Sequence, residues 1–177
     1  MLLLTVGWLL VQFINFLRPT ALEGLRLRDM LTITPDGSTS ITIPFQLIVD
    51  AIIACILVMI THELVHGVFF WRFAGKRPTV GIKGLYVYVA APSAVYFPRN
   101  QYLVVGLAPL VLLTLMGLLL IAIVPTVVLP VLIVFIAFNA AGAAGDLQMS
   151  VWILSYPSDS LMQDSGTSVV VYGPDKS

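Results

Sequence analysis

Four long apolar segments dominate the chain, and the stretches between them carry most of its charge. They run over residues 2–17, 45–71, 102–124 and 127–154. A helix needs about 20 apolar residues to cross a bilayer, within a range of roughly 17–25. The last three segments are long enough, and the first is marginal. The pattern predicts an all-α integral membrane protein with about four transmembrane helices in one domain over residues 1–177, in which residues 155–177 form a polar tail.

Three polar stretches have patterns of their own. Residues 79–97 are rich in Val and Tyr, which favour strands. This pattern predicts a small β-rich loop at the membrane surface, either a hairpin or an irregular interfacial loop with Tyr anchors. The turn signal Pro35-Asp36-Gly37 predicts a polar connection with a short strand before the second helix. The tail reads as a short strand or a disordered end.

The composition excludes several classes of protein. Apolar residues make up 59% of the chain, charged residues make up 10%, and the mean hydropathy is +1.00. An ordinary soluble domain has roughly 25% charged residues, so an aqueous globule is excluded, and so is a disordered chain. Nine basic residues balance nine acidic ones. No nucleic-acid partner is therefore predicted, and the lipid bilayer is the expected surrounding.

The distribution of Lys and Arg predicts the orientation. With four helices, one side of the membrane carries six basic residues and the other carries three: Arg72, Lys76, Arg77, Lys83, Arg99 and Lys176 against Arg18, Arg26 and Arg28. Because basic residues favour the cytoplasmic side, we expect both termini in the cytoplasm. The localisation predicted is a prokaryotic cytoplasmic membrane.

The second apolar segment contains the motif His62-Glu63-Leu-Val-His66, which is H-E-x-x-H. Residues four apart lie on the same face of a helix, so both imidazoles can bind one metal ion. Glu63 is placed to act on a metal-bound water molecule. The chain has only two histidines, and both are in this motif. The alternative is a polar cluster that pairs helices, but ionisable groups within an apolar helix are expensive and usually functional.

A catalytic zinc ion needs a third protein ligand. Asp50 precedes His62 by twelve residues, or about 18 Å of helix, and cannot reach the same ion. Asp146 lies in the fourth segment at a depth similar to that of His66, which makes it the best third ligand. Its alternative role is a hydrogen bond between helices.

Small residues fill the stretch Asn139-Ala-Ala-Gly-Ala-Ala-Gly-Asp146, and they let helices approach closely. Asn139 lies on the same helical face as Asp146, seven residues earlier. Two roles are open for it: a hydrogen bond to the oxyanion of a reacting carbonyl, or a hydrogen bond between helices.

These motifs resemble known enzymes. The pattern His62-Glu63-x-x-His66 followed by an Asn…Asp pair resembles the site-2 protease class of intramembrane zinc metalloproteases. That class carries N-x-x-P-x-x-x-x-D-G, whereas Asn139 and Asp146 are seven apart with no intervening Pro, and Gly145 precedes the aspartate.

The length, the Gly106-Leu-Ala-Pro109 stretch and the Gly145-Asp146 pair look more like a smaller relative, the zincin peptidase family of small membrane proteins. The resemblance covers roughly residues 55–150. It implies a core of three helices, with His62, His66 and Asp146 as ligands of Zn²⁺ and Glu63 as the catalytic base. It also implies a catalytic role for Asn139.

The sequence therefore predicts an intramembrane zinc metalloprotease that hydrolyses peptide bonds of a membrane protein or peptide by zinc-activated water, with its site toward the cytoplasmic side. The alternative is a non-enzymatic protein that binds or moves metal ions. A haem protein is disfavoured, because two His four apart on one helix lie on the same side of a metal ion.

Overall fold

A computed structural model describes residues 1–23, 31–33, 39–84, 86–166 and 168–173. Five helices carry most of this chain: α1 (Leu2–Leu17), α2 (Phe45–Ala74), α3 (Arg99–Ile123), α4 (Leu129–Gly142) and α5 (Ala144–Leu154). Within the described residues, three stretches are long and apolar enough to cross a membrane: Phe45–Ala74, Arg99–Ile123 and Thr126–Leu154. The 16 residues of α1 span only about 24 Å, less than the roughly 30 Å of a bilayer core. The described residues are thus mostly helical instead of all-α, since small sheets are present, and three of the four predicted helices are long and apolar enough to cross a membrane.

The fourth apolar segment is one predicted helix but two observed ones. A short 3₁₀ turn, Thr126–Val128, leads into α4, and α4 and α5 are separated by Ala143 alone. Glycines flank this break at Gly142 and Gly145, and glycine is among the poorest helix formers. The break gives α5 an N-terminus of its own, with Asp146 in its first turn, where a negative charge is favoured.

The β-rich loop is a hairpin, which confirms the first of the two alternatives for it. Strands β3 (Thr79–Lys83) and β4 (Tyr86–Ala90) pair antiparallel, with Val80 opposite Val89. Gly84 begins the connection with φ +64°, a left-handed conformation that glycine adopts without strain. Nearer the N-terminus, β1 (Leu31–Ile33) pairs with β2 (Thr39–Ile41), and the turn predicted at 35–37 lies outside the described residues.

The polar tail forms two strands, so the disordered alternative is wrong for the tail residues that the structure describes. β6 (Leu161–Asp164) lies between β7 (Val169–Tyr172) and the two-residue strand β5 (Phe97–Pro98) in an antiparallel sheet. Phe97 and Met162 form one pair of this sheet, and both are fully buried. The tail is therefore anchored to the segment that precedes α3.

The chain divides into two units. The first consists of residues 1–58 and 114–141, and the second of residues 59–113 and 142–177. Aromatic packing forms the core of the second unit: the Phe70 ring lies 5.5 Å from that of Phe97 and 6.2 Å from that of Tyr102, between ring centroids. The prediction of a single domain stays a prediction.

Candidate metal centre

Two histidines and one aspartate converge in the second unit. His62 and His66 lie one turn apart on α2, and Asp146 lies in the first turn of α5. Asp146 Oδ2 is 2.9 Å from His62 Nε2 and 3.6 Å from His66 Nε2. One ligand atom from each of the three lies within 4.8 Å of the others. The three predicted ligands, His62, His66 and Asp146, therefore form one metal group that could hold a metal ion.

The donor set fits zinc. Zinc binds imidazole nitrogen and carboxylate oxygen at about 2.0–2.2 Å in a tetrahedral arrangement, which separates neighbouring ligand atoms by roughly 3.4 Å. The two distances from Asp146 Oδ2 fall on either side of that value. Both imidazoles are 12% exposed and the carboxylate is 27% exposed. All three side chains are therefore partly buried, and Asp146 is the most exposed of them.

A backbone carbonyl orients one of the two histidines. His66 Nδ1 lies 3.0 Å from the carbonyl oxygen of Val105 on α3. Because a carbonyl oxygen only accepts hydrogen bonds, Nδ1 carries the proton and Nε2 of the neutral ring keeps its lone pair. That lone pair is the one on the side of Asp146. A second hydrogen bond of this kind is typical of metal-binding histidines, since it fixes the tautomer and the ring orientation.

Glu63 stands outside this three-residue group. Its Oε2 accepts a hydrogen bond of 2.8 Å from the backbone N–H of Val89 on β4. The residue lines the same cavity as His66 and Asp146. A carboxylate beside a metal group, held by a backbone donor and facing a cavity, can take up and release a proton.

The cavity beside the metal group has a volume of about 350 Å³, within the range of small-molecule sites. Its walls come from α2, β4, α3, α5 and the β6–β7 hairpin. Val105 and Gly106 form part of the α3 wall, and Ser150 lies on α5 one turn after Asp146. Every wall belongs to the second unit.

Sequence reasoning missed Tyr102 and Asp164 on the walls of this cavity. The Tyr102 hydroxyl donates to Asp164 Oδ2 at 2.5 Å, and Asp164 Oδ1 accepts from Gly166 N–H at 2.7 Å and from Ala91 N–H at 3.4 Å. One carboxylate of the tail therefore joins α3, the end of β4 and its own turn. The only signal in the sequence was an acidic residue after the last helix.

Two other predicted polar residues belong to the first unit. The fully buried Asn139 donates from its amide to Thr114 Oγ1 at 3.1 Å. Asp50 accepts from Gln46 Nε2 at 2.8 Å. Asp50 was predicted not to be a ligand, and the metal group does not include it.

Comparisons with known proteins give one family. Neither a curated protein nor a solved structure matches the chain. The model of the family described as "Putative zincin peptidase", a description that implies zinc, matches residues 55–161. The match includes both histidines, Glu63 and Asp146, and it ends before Asp164. Since it covers more than half of the sequence, the chain belongs to this family, whose description indicates a zinc metallopeptidase.

Proposed function

We propose that this protein is an intramembrane zinc metallopeptidase that hydrolyses peptide bonds of membrane-embedded substrates. One observation carries the proposal: metal-binding atoms of His62, His66 and Asp146 converge, and two of these residues line the same cavity as Glu63. The two histidines and Glu63 lie in α2, which is apolar enough to span a bilayer. Ionisable groups are costly in such a helix, and they usually serve a function.

We assign His62, His66 and Asp146 as the zinc ligands. When bound, zinc supplies a Lewis acid and lowers the pKa of water to about 7. Val105 supports this assignment, because its carbonyl directs the Nε2 lone pair of His66 toward the shared position. The cavity that His66 and Asp146 line leaves room for water and a substrate carbonyl.

Glu63 is the general base and acid of the proposed reaction. It takes the proton of the attacking water molecule and later delivers it to the nitrogen of the leaving amine. The Val89 N–H holds one carboxylate oxygen, so proton transfer falls to the other. Asn139 stays a weaker candidate for an oxyanion donor, since its amide donates to Thr114.

The substrate is proposed to bind in an extended conformation. A peptide bond within a helix is shielded from attack, whereas an extended peptide can pair with the edge of a sheet. Glu63 holds the Val89 N–H on the outer edge of β4, so this pairing would use the backbone groups of Val87, which alternation along the strand puts on the same edge. We retain the cytoplasmic side as the side of the site, on the strength of the Lys/Arg distribution.

The experiment compares Glu63→Gln with Glu23→Gln. These are the two glutamates of the chain, and Glu23 is exposed. Purified variants are assayed for zinc content and for cleavage of a membrane-embedded peptide library. Glu63→Gln should keep zinc and lose about 10²–10⁴-fold in hydrolysis, the usual contribution of general acid–base catalysis. Glu23→Gln should match the parent.

Cleavage by Glu63→Gln at the parent rate would contradict the proposed mechanism. The second candidate, a protein that moves metal ions, uses the same three ligands. It predicts that the parent cleaves no peptide, carries zinc across a liposome membrane, and keeps that transport when Glu63 becomes Gln.

A further inference from the structure

Helix α2 and strand β4 approach each other closely at Gly67. A methyl group on Gly67 would lie 3.3 Å from Val89 Cγ1 and 3.6 Å from Pro78 Cγ. The first distance is shorter than an ordinary van der Waals contact, so a side chain at position 67 would require Val89 to move by a few tenths of an ångström. Glycine permits the observed approach without this adjustment.

The same approach brings the backbone of β4 to the catalytic residue. Gly67 follows Glu63 by four residues, so the two lie on one face of α2, a single turn apart. Val89 contacts this face twice: its side chain packs on Gly67, and its N–H donates to Glu63 Oε2 at 2.8 Å. Val89 is paired in register with Val80, and its N–H points away from that partner strand. This donor reaches Glu63 only if β4 lies directly on the helix.

We propose that Gly67 is a positioning residue for Glu63. The missing side chain sets the separation of α2 and β4, and the Val89 N–H then fixes the carboxylate against the cavity. The inference rests on the proposed function in one respect, namely that Glu63 transfers the proton. Catalytic groups must be held to within about 0.5 Å of their productive position. A misplacement of about 1 Å can cost roughly 10²-fold in rate.

The two contacts of Val89, with Gly67 and with Glu63, allow a compensating substitution. The clash of a new methyl group at position 67 falls on the side chain of Val89, whereas the hydrogen bond to Glu63 comes from its backbone. Shortening Val89 to Ala removes Cγ1 and keeps the N–H. A second substitution at position 89 should therefore relieve the first one at position 67, which a general loss of stability would not do.

The test uses Gly67→Ala, Gly67→Val and the double variant Gly67→Ala/Val89→Ala in the full chain. Gly7→Ala is the matched control, because Gly7 lies within a helix and a methyl group there meets nothing within 4 Å. Each protein is assayed for zinc content and for kcat and KM of peptide hydrolysis. We expect unchanged zinc and KM, with kcat lowered about 10-fold by Ala and about 10²-fold by Val. The double variant should recover most of the loss of Gly67→Ala.

A second readout does not depend on activity. The amide signal of Val89 in ¹⁵N-valine-labelled protein should lose its exchange protection and shift in Gly67→Val, as it should in Glu63→Ala. An unchanged Val89 amide in Gly67→Val would overturn the inference, and so would a double variant as slow as Gly67→Ala. If the parent protein has no peptidase activity, the proposed function is refuted. The Val89 amide signal would then still test whether Gly67 sets the contact between Val89 and Glu63.

Discussion

Two aspartates, Asp50 and Asp146, lie in apolar stretches that are long enough to cross a membrane, but their surroundings differ. Asp50 is nearly buried, and it accepts a hydrogen bond from Gln46, one turn earlier on its own helix. Asp146 is half-buried, and it faces two histidines of another helix, 84 residues away from His62 in the sequence. The first contact is local, and the second joins separate elements of the second unit.

The different partners of Asp50 and Asp146 show what distinguishes a metal site from a structural carboxylate in an apolar helix. A carboxylate in such a helix needs a polar partner, and a neighbour on the same helix can supply it. Only Asp146 has partners whose lone pairs converge with its own on one position beside a cavity. Convergence of ligand atoms, and not the presence of a charge in the apolar stretch, therefore distinguishes the proposed site.

The largest effect, a loss of zinc affinity, is expected at Asp146 alone when the same substitution is made at each of these two aspartates. Asp146→Asn removes an anionic zinc ligand, whereas Asp50→Asn makes the same chemical change at a residue outside the metal group. Loss of a hydrogen-bonding partner of a ligand costs about 10–100-fold in metal affinity, and loss of a ligand itself should exceed this range. Zinc titration with a competing chelator measures both affinities. Equal zinc affinities of the two variants would remove Asp146 from the site.

The sequence predicted the features that follow from segment length or residue spacing. The helices follow from apolar length, and the pairing of His62 with His66 follows from their spacing of four. The hairpin β3–β4 was one of two alternatives. Its strands are joined by a two-residue connection, so that the pairing is local.

Other parts of the site could not be recognised from any pattern in the sequence. Every residue has a backbone carbonyl, and every residue but proline has a backbone N–H. No residue type therefore identifies the Val105 carbonyl or the Val89 N–H in the sequence. The sheet that holds Asp164 joins Phe97 to Met162 across 65 residues through strands of only two and four residues. Such short, distant pairings are selected by packing, which the sequence pattern does not display.

A smaller effect is expected at the tail contact on the cavity wall. Tyr102→Phe removes the hydrogen bond to Asp164, and a hydrogen bond to a charged group contributes about 1.5–3 kcal/mol. The free energy of unfolding in detergent should fall by that amount, while zinc stays bound. Tyr172→Phe is the control, because its hydroxyl donates to the neutral Gln163 at the surface. Equal losses of unfolding free energy in the two variants would show that the hydrogen bond to Asp164 stabilises the protein no more than the surface hydrogen bond does.

The smallest effect is expected in the first unit. Thr114→Val removes the acceptor of the Asn139 amide, and side-chain hydrogen bonds between membrane helices contribute about 0.6 kcal/mol on average. We expect a slight loss of stability, with zinc content and kcat unchanged. A kcat that falls by 10-fold or more would instead support the role of Asn139 at the oxyanion.

X-ray absorption at the zinc edge of the purified, zinc-loaded protein tests the proposed ligand set most directly. A site of His62, His66 and Asp146 predicts only nitrogen and oxygen neighbours at about 2.0–2.2 Å, with the outer-shell scattering of two imidazoles. That scattering should decrease by half in His62→Ala and in His66→Ala. A sulfur neighbour at about 2.3 Å would implicate Cys55, the single cysteine of the chain. That result, or a spectrum without imidazole scattering, would contradict the metal centre of His62, His66 and Asp146.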